Sequence, residues 1–454
     1  MQGVAAEIPP AFLTTPPRAD HTLRQDLAIA SRVALAALFV CAVVGAFAQP
    51  AHTASGVRFG IQDDAWIADG PGTLESRLDT LDRLGVKVVR YALQWNQIAT
   101  RRPEQPRWSG DPAYQWGAAD AVVKGLRAHG IDAVLDLRYA PEWANGGKKF
   151  NWLPLNGTDF ANFAAAAQNR FPWVRDWLIW NEPNKAGFAQ PVSPEAYVER
   201  VLNPAYAALH AANPSIRVAG GVTGPRAGSG GMSPTAFVRG MKSAGARLDA
   251  YAHHPYPERP KSETPSSGGC GHCASITMAT IEKLLREVQR AWPGKRIWLT
   301  EYAYQVNPPD RTLGVSPVKQ AQYVGESALR VYRLPRVDML IHFLVRDDPL
   351  AAGWQSGVYT VKGAKRMAYD AYRLPLAQMS RRGSTTKVWG QIRPRSGRQR
   401  YQLQVFRGRW RSLGAAARTD ARGTFQRTVK VGKGTKIRIY SPSDRAYSPA
   451  LVVR

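Results

Sequence analysis

Asp176-Trp-Leu-Ile-Trp-Asn-Glu-Pro-Asn184 decides how the rest of the chain is read. Residues 177–180 form an apolar run too short for a helix, and residues 181–184 are polar and interrupted by Pro183. A short apolar run that stops so abruptly reads as a buried strand whose last residues emerge into a cleft. In a parallel barrel the catalytic groups sit where strands end. Glu182 is therefore placed to act as an acid, and Asn181 beside it to bond a substrate hydroxyl. Pro183 removes a backbone donor and fixes the turn that carries the glutamate. The plain alternative is a strand-end glutamate paired with a surface arginine.

A second stretch of the same kind, Arg296-Ile-Trp-Leu-Thr-Glu-Tyr-Ala-Tyr304, ends its apolar run at Glu301, 119 positions after Glu182. A βα unit of a barrel takes roughly 30 to 40 residues, so three units fit between them. The two glutamates then end strands 4 and 7 and face each other across the barrel mouth. Glycosidic cleavage uses two facing carboxyl groups: one protonates the leaving oxygen and the other attacks the sugar carbon.

On these residues the chain resembles the retaining glycoside hydrolases of the (β/α)8 clan that includes families 5 and 39, and Trp180-Asn-Glu-Pro-Asn184 is especially like family 39. The resemblance spans about residues 57–378 and implies an α/β fold, a (β/α)8 TIM barrel. It implies Glu182 as acid/base, protonated at rest, and Glu301 as the ionised nucleophile. It also implies that Arg90, at the end of strand 2, supports the nucleophile; a nearby guanidinium keeps a carboxylate ionised. A surface salt bridge is the alternative for Arg90. The clan's His-x-Tyr after strand 6 matches His254-Pro-Tyr256, which implies that Tyr256 bonds Glu301; His253 receives no role. A tryptophan near strand 8 floors the sugar site in relatives, with Phe343 and Trp354 as the candidates. Trp143, after strand 3, either stacks on a sugar ring or packs in the core.

The periodicity agrees with a barrel. β-prone runs at residues 57–61, 86–90, 131–137, 177–180, 216–221, 248–254, 296–301 and 337–344 alternate with helical patterns, including 118–129, 194–212 and 276–292. The exit loop of strand 6 carries Cys270-Gly-His-Cys273. That tetrapeptide occurs in disulfide oxidoreductases, but there it heads a helix of a thioredoxin fold. In an exported protein Cys270 and Cys273 are expected to form a small loop-pinning disulfide. His272 lacks enough neighbouring ligands for a metal, and the chemistry calls for no cofactor.

Export is expected from the start of the chain. Residues 33–48 are apolar, Arg18, Arg24 and Arg32 precede them, and Ala46-Phe-Ala48 matches a cleavage site. Residues 1–48 read as a signal peptide or signal anchor with a long n-region, and 49–56 as a linker. The expected location is secreted, with retention at the cell envelope or by an uncleaved anchor as the alternative.

Residues 384–454 alternate short β-prone runs with Gly- and Ser-rich turns and read as a small C-terminal antiparallel β-sandwich domain. From residue 381 onward there are 19 lysines and arginines against two acids, Asp420 and Asp444, which makes +17 of the chain's +27. Such a field attracts polyanions, among which an anionic cell-wall polymer or polysaccharide fits; no nucleic-acid motif is present. A solvated basic surface is the alternative, and Trp389 and Trp410 are either core or sugar platforms. The functional expectation is a retaining glycosidase acting as a monomer on a β-linked oligo- or polysaccharide. A transglycosylase with the same residues and a non-catalytic cell-envelope carbohydrate-binding protein are the competing readings.

Overall fold

The computed structural model describes residues 56–454, so the leader assigned to residues 1–48 lies outside the described residues. Eight parallel strands close into a barrel in chain order: β1 (Arg58–Gln62), β2 (Val88–Gln94), β3 (Asp132–Arg138), β4 (Asp176–Ile179), β5 (Arg217–Thr223), β6 (Ala250–His253), β7 (Arg296–Tyr302) and β8 (Val337–Phe343), with β8 pairing back onto β1. Alternation along the strands sends one set of side chains inward. Val88, Val134, Leu178, Ala219, Ala250, Ala252, Trp298, Met339 and Ile341 fill the barrel. Gly60 is required there, because a Cβ would collide with Val88 and Ile341. The outward set packs against the surrounding helices in the larger core, which includes Leu135, Trp177, Ile179 and Leu299.

The N-terminal end of the barrel is closed by charge. Asp176 accepts from Arg58 at 2.5 Å and from Arg217 at 2.7 Å, and Arg58 also reaches Asp132 at 3.1 Å. Helices start where the sequence offers a cap: Thr73, Ser193, Ser233 and Ser316 each accept a backbone N–H of the first turn. The helix expected over 194–212 is interrupted by one π turn, Val198–Leu202. Pro204 follows directly and has no N–H for the carbonyl four residues back. The helix expected over 276–292 is a 3-10 turn, Met278–Thr280, followed by an α-helix, Glu282–Ala291.

The C-terminal module is built from two antiparallel sheets. One has the order β14-β10-β9, from Thr424–Val429, Thr385–Gln391 and Leu376–Arg382. The other has β12 (Arg409–Ser412), β11 (Arg400–Arg407), β15 (Lys436–Ser441) and β16 (Ala446–Tyr447) in that order; β13 (Ala417–Arg418) pairs with β11, and β17 (Leu451–Val452) with β15. β9 starts at Leu376, within the range the sequence reading gives to the barrel, and Leu376 packs in the module's core. Tyr401, Leu403, Val405, Ile437 and Ile439 point into the same core. Trp389 is fully buried and lies 5.4 Å from Tyr332 of the barrel helix Pro317–Arg333. Its role is to join module to barrel, which rules it out as a sugar platform.

Candidate active site

Trp180-Asn-Glu-Pro-Asn184 folds into a strained, tightly stapled loop. Past β4, Trp180 and Glu182 take left-handed φ values of 71° and 42°, conformations that non-glycine residues hold only when their surroundings enforce them. The enforcing contacts are local. The Glu182 N–H donates to the Val222 carbonyl at 2.9 Å. Asn184 accepts from the Gly224 N–H at 2.8 Å and donates to the Met232 carbonyl at 3.0 Å, tying the loop to the β5 exit. A Cβ on Gly224 would sit 2.8 Å from a Glu182 carboxylate oxygen, so only glycine fits beside the acid.

Arg90, from the middle of β2, is the centre of the site and is fully buried. Its guanidinium pairs with Glu301, and it reaches Asp136 at 2.7 Å, Asn181 Oδ1 at 2.7 Å and Gln62 Oε1 at 2.9 Å. Burial works against the charge, but Asp136 and Glu301 more than offset it and raise the Arg90 pKa. The surface alternative for Arg90 is thereby excluded. Tyr256 donates to the other Glu301 oxygen at 3.1 Å; burial, then the nearby Glu301 charge, pushes the phenol well up, so it stays a donor.

His254 lies between the two carboxyl groups. Its Nδ1 is 3.1 Å from Glu182 and 3.6 Å from Glu301, and its Nε2 is 3.1 Å from the Thr300 hydroxyl. One carboxylate oxygen of Glu182, one of Glu301 and a ring nitrogen of His254 all fall within 4.8 Å of one another. Such a trio offers ligand atoms to a cation, but Arg90 and the Lys185 ammonium, 2.6 Å from Glu182, already place a cation on each carboxylate.

Glu182 departs from expectation. Its carboxyl is buried, and burial is the largest influence and acts upward. His254 and Lys185 together outweigh it and hold the group below the usual carboxylate range. The resting Glu182 is therefore ionised, not protonated. His254 lowers it most, and Lys185, three residues on in the same turn and given no role by the sequence, adds to it.

The remaining candidates divide. Trp354 is 38% exposed, and its ring lies 4.8 Å from that of Tyr256 and 5.4 Å from that of Phe343. It is an open aromatic surface beside Tyr256, the residue that bonds Glu301, while Phe343 supports it edge-on. Asn181 gives its oxygen to Arg90, and its NH2 has no protein acceptor among the described residues, so it remains available to a hydroxyl. Trp143 takes the packing alternative. It meets Trp95 edge-on at 5.2 Å and donates to the Ala99 carbonyl at 2.7 Å, and Arg102 covers its face at 4.6 Å. His253 is a core histidine between Thr223 and the Ile276 carbonyl, its pKa lowered by burial to about 4. The sequence reading missed Asp136, whose signal was a lone acid within the apolar run of β3; burial pushes its pKa up. Asp347, past β8, is buried and paired with Arg366. The sulfurs of Cys270 and Cys273 lie at bonding distance with Cα atoms 5.4 Å apart, and Lys283 bonds the carbonyls of both, at 3.0 and 2.6 Å.

No protein-family model matches the chain, and no curated relative does. Solved structures do. A family 39 glycoside hydrolase from Bacteroides cellulosilyticus WH2 aligns over 83% of this chain and 81% of its own, at TM-score 0.56 and 16% identity. A glucosidase from Croceicoccus marinus aligns over 86% and 97%, at 0.57 and 12%. The GH39 enzyme from Xanthomonas axonopodis pv. citri aligns over 85% and 93%, at 0.55 and 14%. What is shared at these identities is the fold.

Proposed function

We propose that the chain is a retaining glycosidase that cleaves a β-linked oligo- or polysaccharide by double displacement, with Glu301 as nucleophile and Glu182 as acid/base. The observation that carries this is the approach of the two carboxyl groups, whose nearest oxygens lie within 4.8 Å. Retaining enzymes hold their pair about 5–5.5 Å apart, and inverting enzymes about 6.5–9.5 Å apart to admit a water. The family 39 structures of the same fold add support.

The chemistry follows from the contacts. Arg90 and Tyr256 each hold one oxygen of Glu301, fixing the carboxylate for attack on the anomeric carbon. The glycosidic oxygen must receive a proton from Glu182, at a place Lys185 now occupies. A sugar entering on that side displaces the ammonium; burial then acts on Glu182 against the His254 contact alone, and its pKa rises toward the protonated form the step needs. Glu182 protonates the departing oxygen as the Glu301–sugar ester forms. Water then attacks the same carbon and gives its proton to Glu182, and Glu301 is released. Trp354 offers its face to the ring being cleaved, and Asn181 its NH2 to a hydroxyl.

The apolar run at residues 33–48 supports an exported protein, and with it a Cys270–Cys273 disulfide. The test of function is product release from aryl β-glycosides and polysaccharides by wild type and by Glu301→Gln. Loss of at least about 10³-fold in kcat/KM is expected in the variant, with the β-configuration found in the first product by NMR. An α-product, or equal rates, would remove the double-displacement reading. Transfer of the sugar to another sugar in place of water would identify a transglycosylase.

A further inference from the structure

The outer face of the module's larger sheet has a composition that the barrel chemistry does not use. Alternation along β11 and β15 turns Phe406, Gln404, Lys436, Arg438 and Tyr440 to solvent, and pairing brings Trp410 of β12 beside Phe406 and Tyr447 of β16 beside Tyr440. Phe406 and Tyr447 are 40% and 42% exposed.

Arg438 is the organised element on this face. Its guanidinium carbon lies 4.2 Å from the Trp410 ring centre and 3.9 Å from that of Tyr447, and its Nε donates to Gln404 Oε1 at 2.8 Å. Two ring faces and one amide therefore hold the guanidinium plane still. Its two terminal nitrogens have no protein acceptor among the described residues, and no carboxylate pairs with it there. A fixed guanidinium with its outer fork open is a receptor for a planar, bidentate anion, and the rings have already restricted the rotamers that binding would otherwise have to order.

Its surroundings carry the same sign. Lys436 lies two residues away on the same face of β15. Next to it, Arg407, Lys430, Lys433 and Lys436 line a groove of about 430 Å³ bordered by Phe406. The module's two acids are engaged elsewhere: Asp420 caps the turn before Thr424, and Asp444 accepts from Arg395 and Ser441.

We infer that this face binds an acidic polysaccharide, with a carboxylate of the glycan seated on the Arg438 fork and neighbouring sugars lying over Phe406 and along the lysine groove. Charge complementarity selects a polyanion. The choice of a glycan among polyanions rests on the glycosidase reading of the barrel, since a binding face fused to such a barrel acts by holding it on carbohydrate. The anion's separate site, far along the chain from Glu182 and Glu301, allows it to be tested without turnover.

The experiment uses the full chain carrying Glu301→Gln, so that binding is read without cleavage and its failure is distinct from failure of the catalytic proposal. Polygalacturonate is the probe, titrated calorimetrically, with single-stranded DNA and anionic lipid vesicles as comparisons. Arg438→Gln is expected to weaken polygalacturonate binding at least ten-fold. Arg454→Gln, which removes the same charge from the C-terminus beside Gln378, is expected to change it less than two-fold. Arg438→Lys keeps the charge and loses the fork, and is expected to bind as poorly as the glutamine variant. Equal losses at Arg438 and Arg454, or full recovery with lysine, would overturn the receptor in favour of diffuse charge. Binding of DNA or vesicles through Arg438 without binding of polygalacturonate would overturn the glycan. Unchanged melting temperatures show that any loss is not unfolding.

Discussion

The two ends of the barrel use the same pair of groups in opposite arrangements. At the N-terminal end one carboxylate, Asp176, is enclosed by two arginines, Arg58 and Arg217. At the C-terminal end one arginine, Arg90, is enclosed by two carboxylates, Asp136 and Glu301. The lower cluster leaves nothing over: the Asp176 side chain is 3% exposed, and both its oxygens accept from guanidinium groups. In the upper cluster the Glu301 side chain is 12% exposed and reachable. Arginine–carboxylate chemistry therefore serves structure at one end and reaction at the other. What distinguishes the two is which group is enclosed and whether a carboxylate oxygen faces the opening.

Arg90→Met breaks this comparison most severely. It leaves Asp136 fully buried with only the Arg138 guanidinium, 3.5 Å away, a loss toward the lower end of about 3–5 kcal/mol in stability, and frees Glu301 from its main support, so activity is expected to fall by about 10²–10³-fold or more. Chemical denaturation and kcat/KM measured on the same samples check both. Arg90→Lys separates them: it restores a charge for Asp136 but lacks a fork that reaches Asp136, Asn181 and Glu301 at once, so stability recovers more than rate. Tyr256→Phe removes one hydrogen bond to Glu301 and leaves the ring under Trp354. About a ten-fold loss in kcat, with little change in melting temperature, is expected. At the lower end, Asp176→Asn is expected to cost about 2 kcal/mol, reduced by the partial exposure of its two arginines, and to leave kcat/KM within about two-fold. If Asp176→Asn lowered kcat as Tyr256→Phe does, the division between the two ends would fail.

The barrel was legible because its signals are local. Short apolar runs broken by polar exits recur through the chain, and all eight strands fall on them. The two glutamates were legible for the same reason, since each ends such a run. Arg90 and Tyr256 were reached through resemblance, and the structure gives the physical content: four polar side chains from four different strands or their exits converge on one guanidinium. Asp136 was not found because an acid in such a strand also fits a solvent-facing position, as Asp132 of the same strand does, and only closure of the barrel turns Asp136 toward Arg90. Trp143 was left open because an exposed platform and a core tryptophan have the same local sequence; Arg102, 41 positions earlier, decides between them. Pro204 was visible, but its interruption of the helix was underestimated. Lys185 was overlooked because lysines in loops are ordinarily solvated, whereas this one follows Glu182 by three residues within a turn that brings both charges together.

Lys185 gives the finest test. In the resting enzyme it stabilises the anion of Glu182, and a general acid works only in its protonated form, so kcat/KM falls as pH rises through the free-enzyme pKa of that acid. Lowering this pKa moves the alkaline limb of the profile to lower pH. Lys185→Met removes the ammonium beside Glu182 and leaves the burial that acts upward, so the pKa rises. The alkaline limb is expected to move up by about one pH unit. The profile of kcat is expected to shift less, because bound substrate has already displaced the ammonium in the wild type. An alkaline limb at the same pH in both enzymes would show that the lysine leaves Glu182 before substrate arrives. A shift of the same size in kcat and kcat/KM would show that it never leaves, and the leaving group would then have to approach Glu182 through the oxygen that His254 now holds.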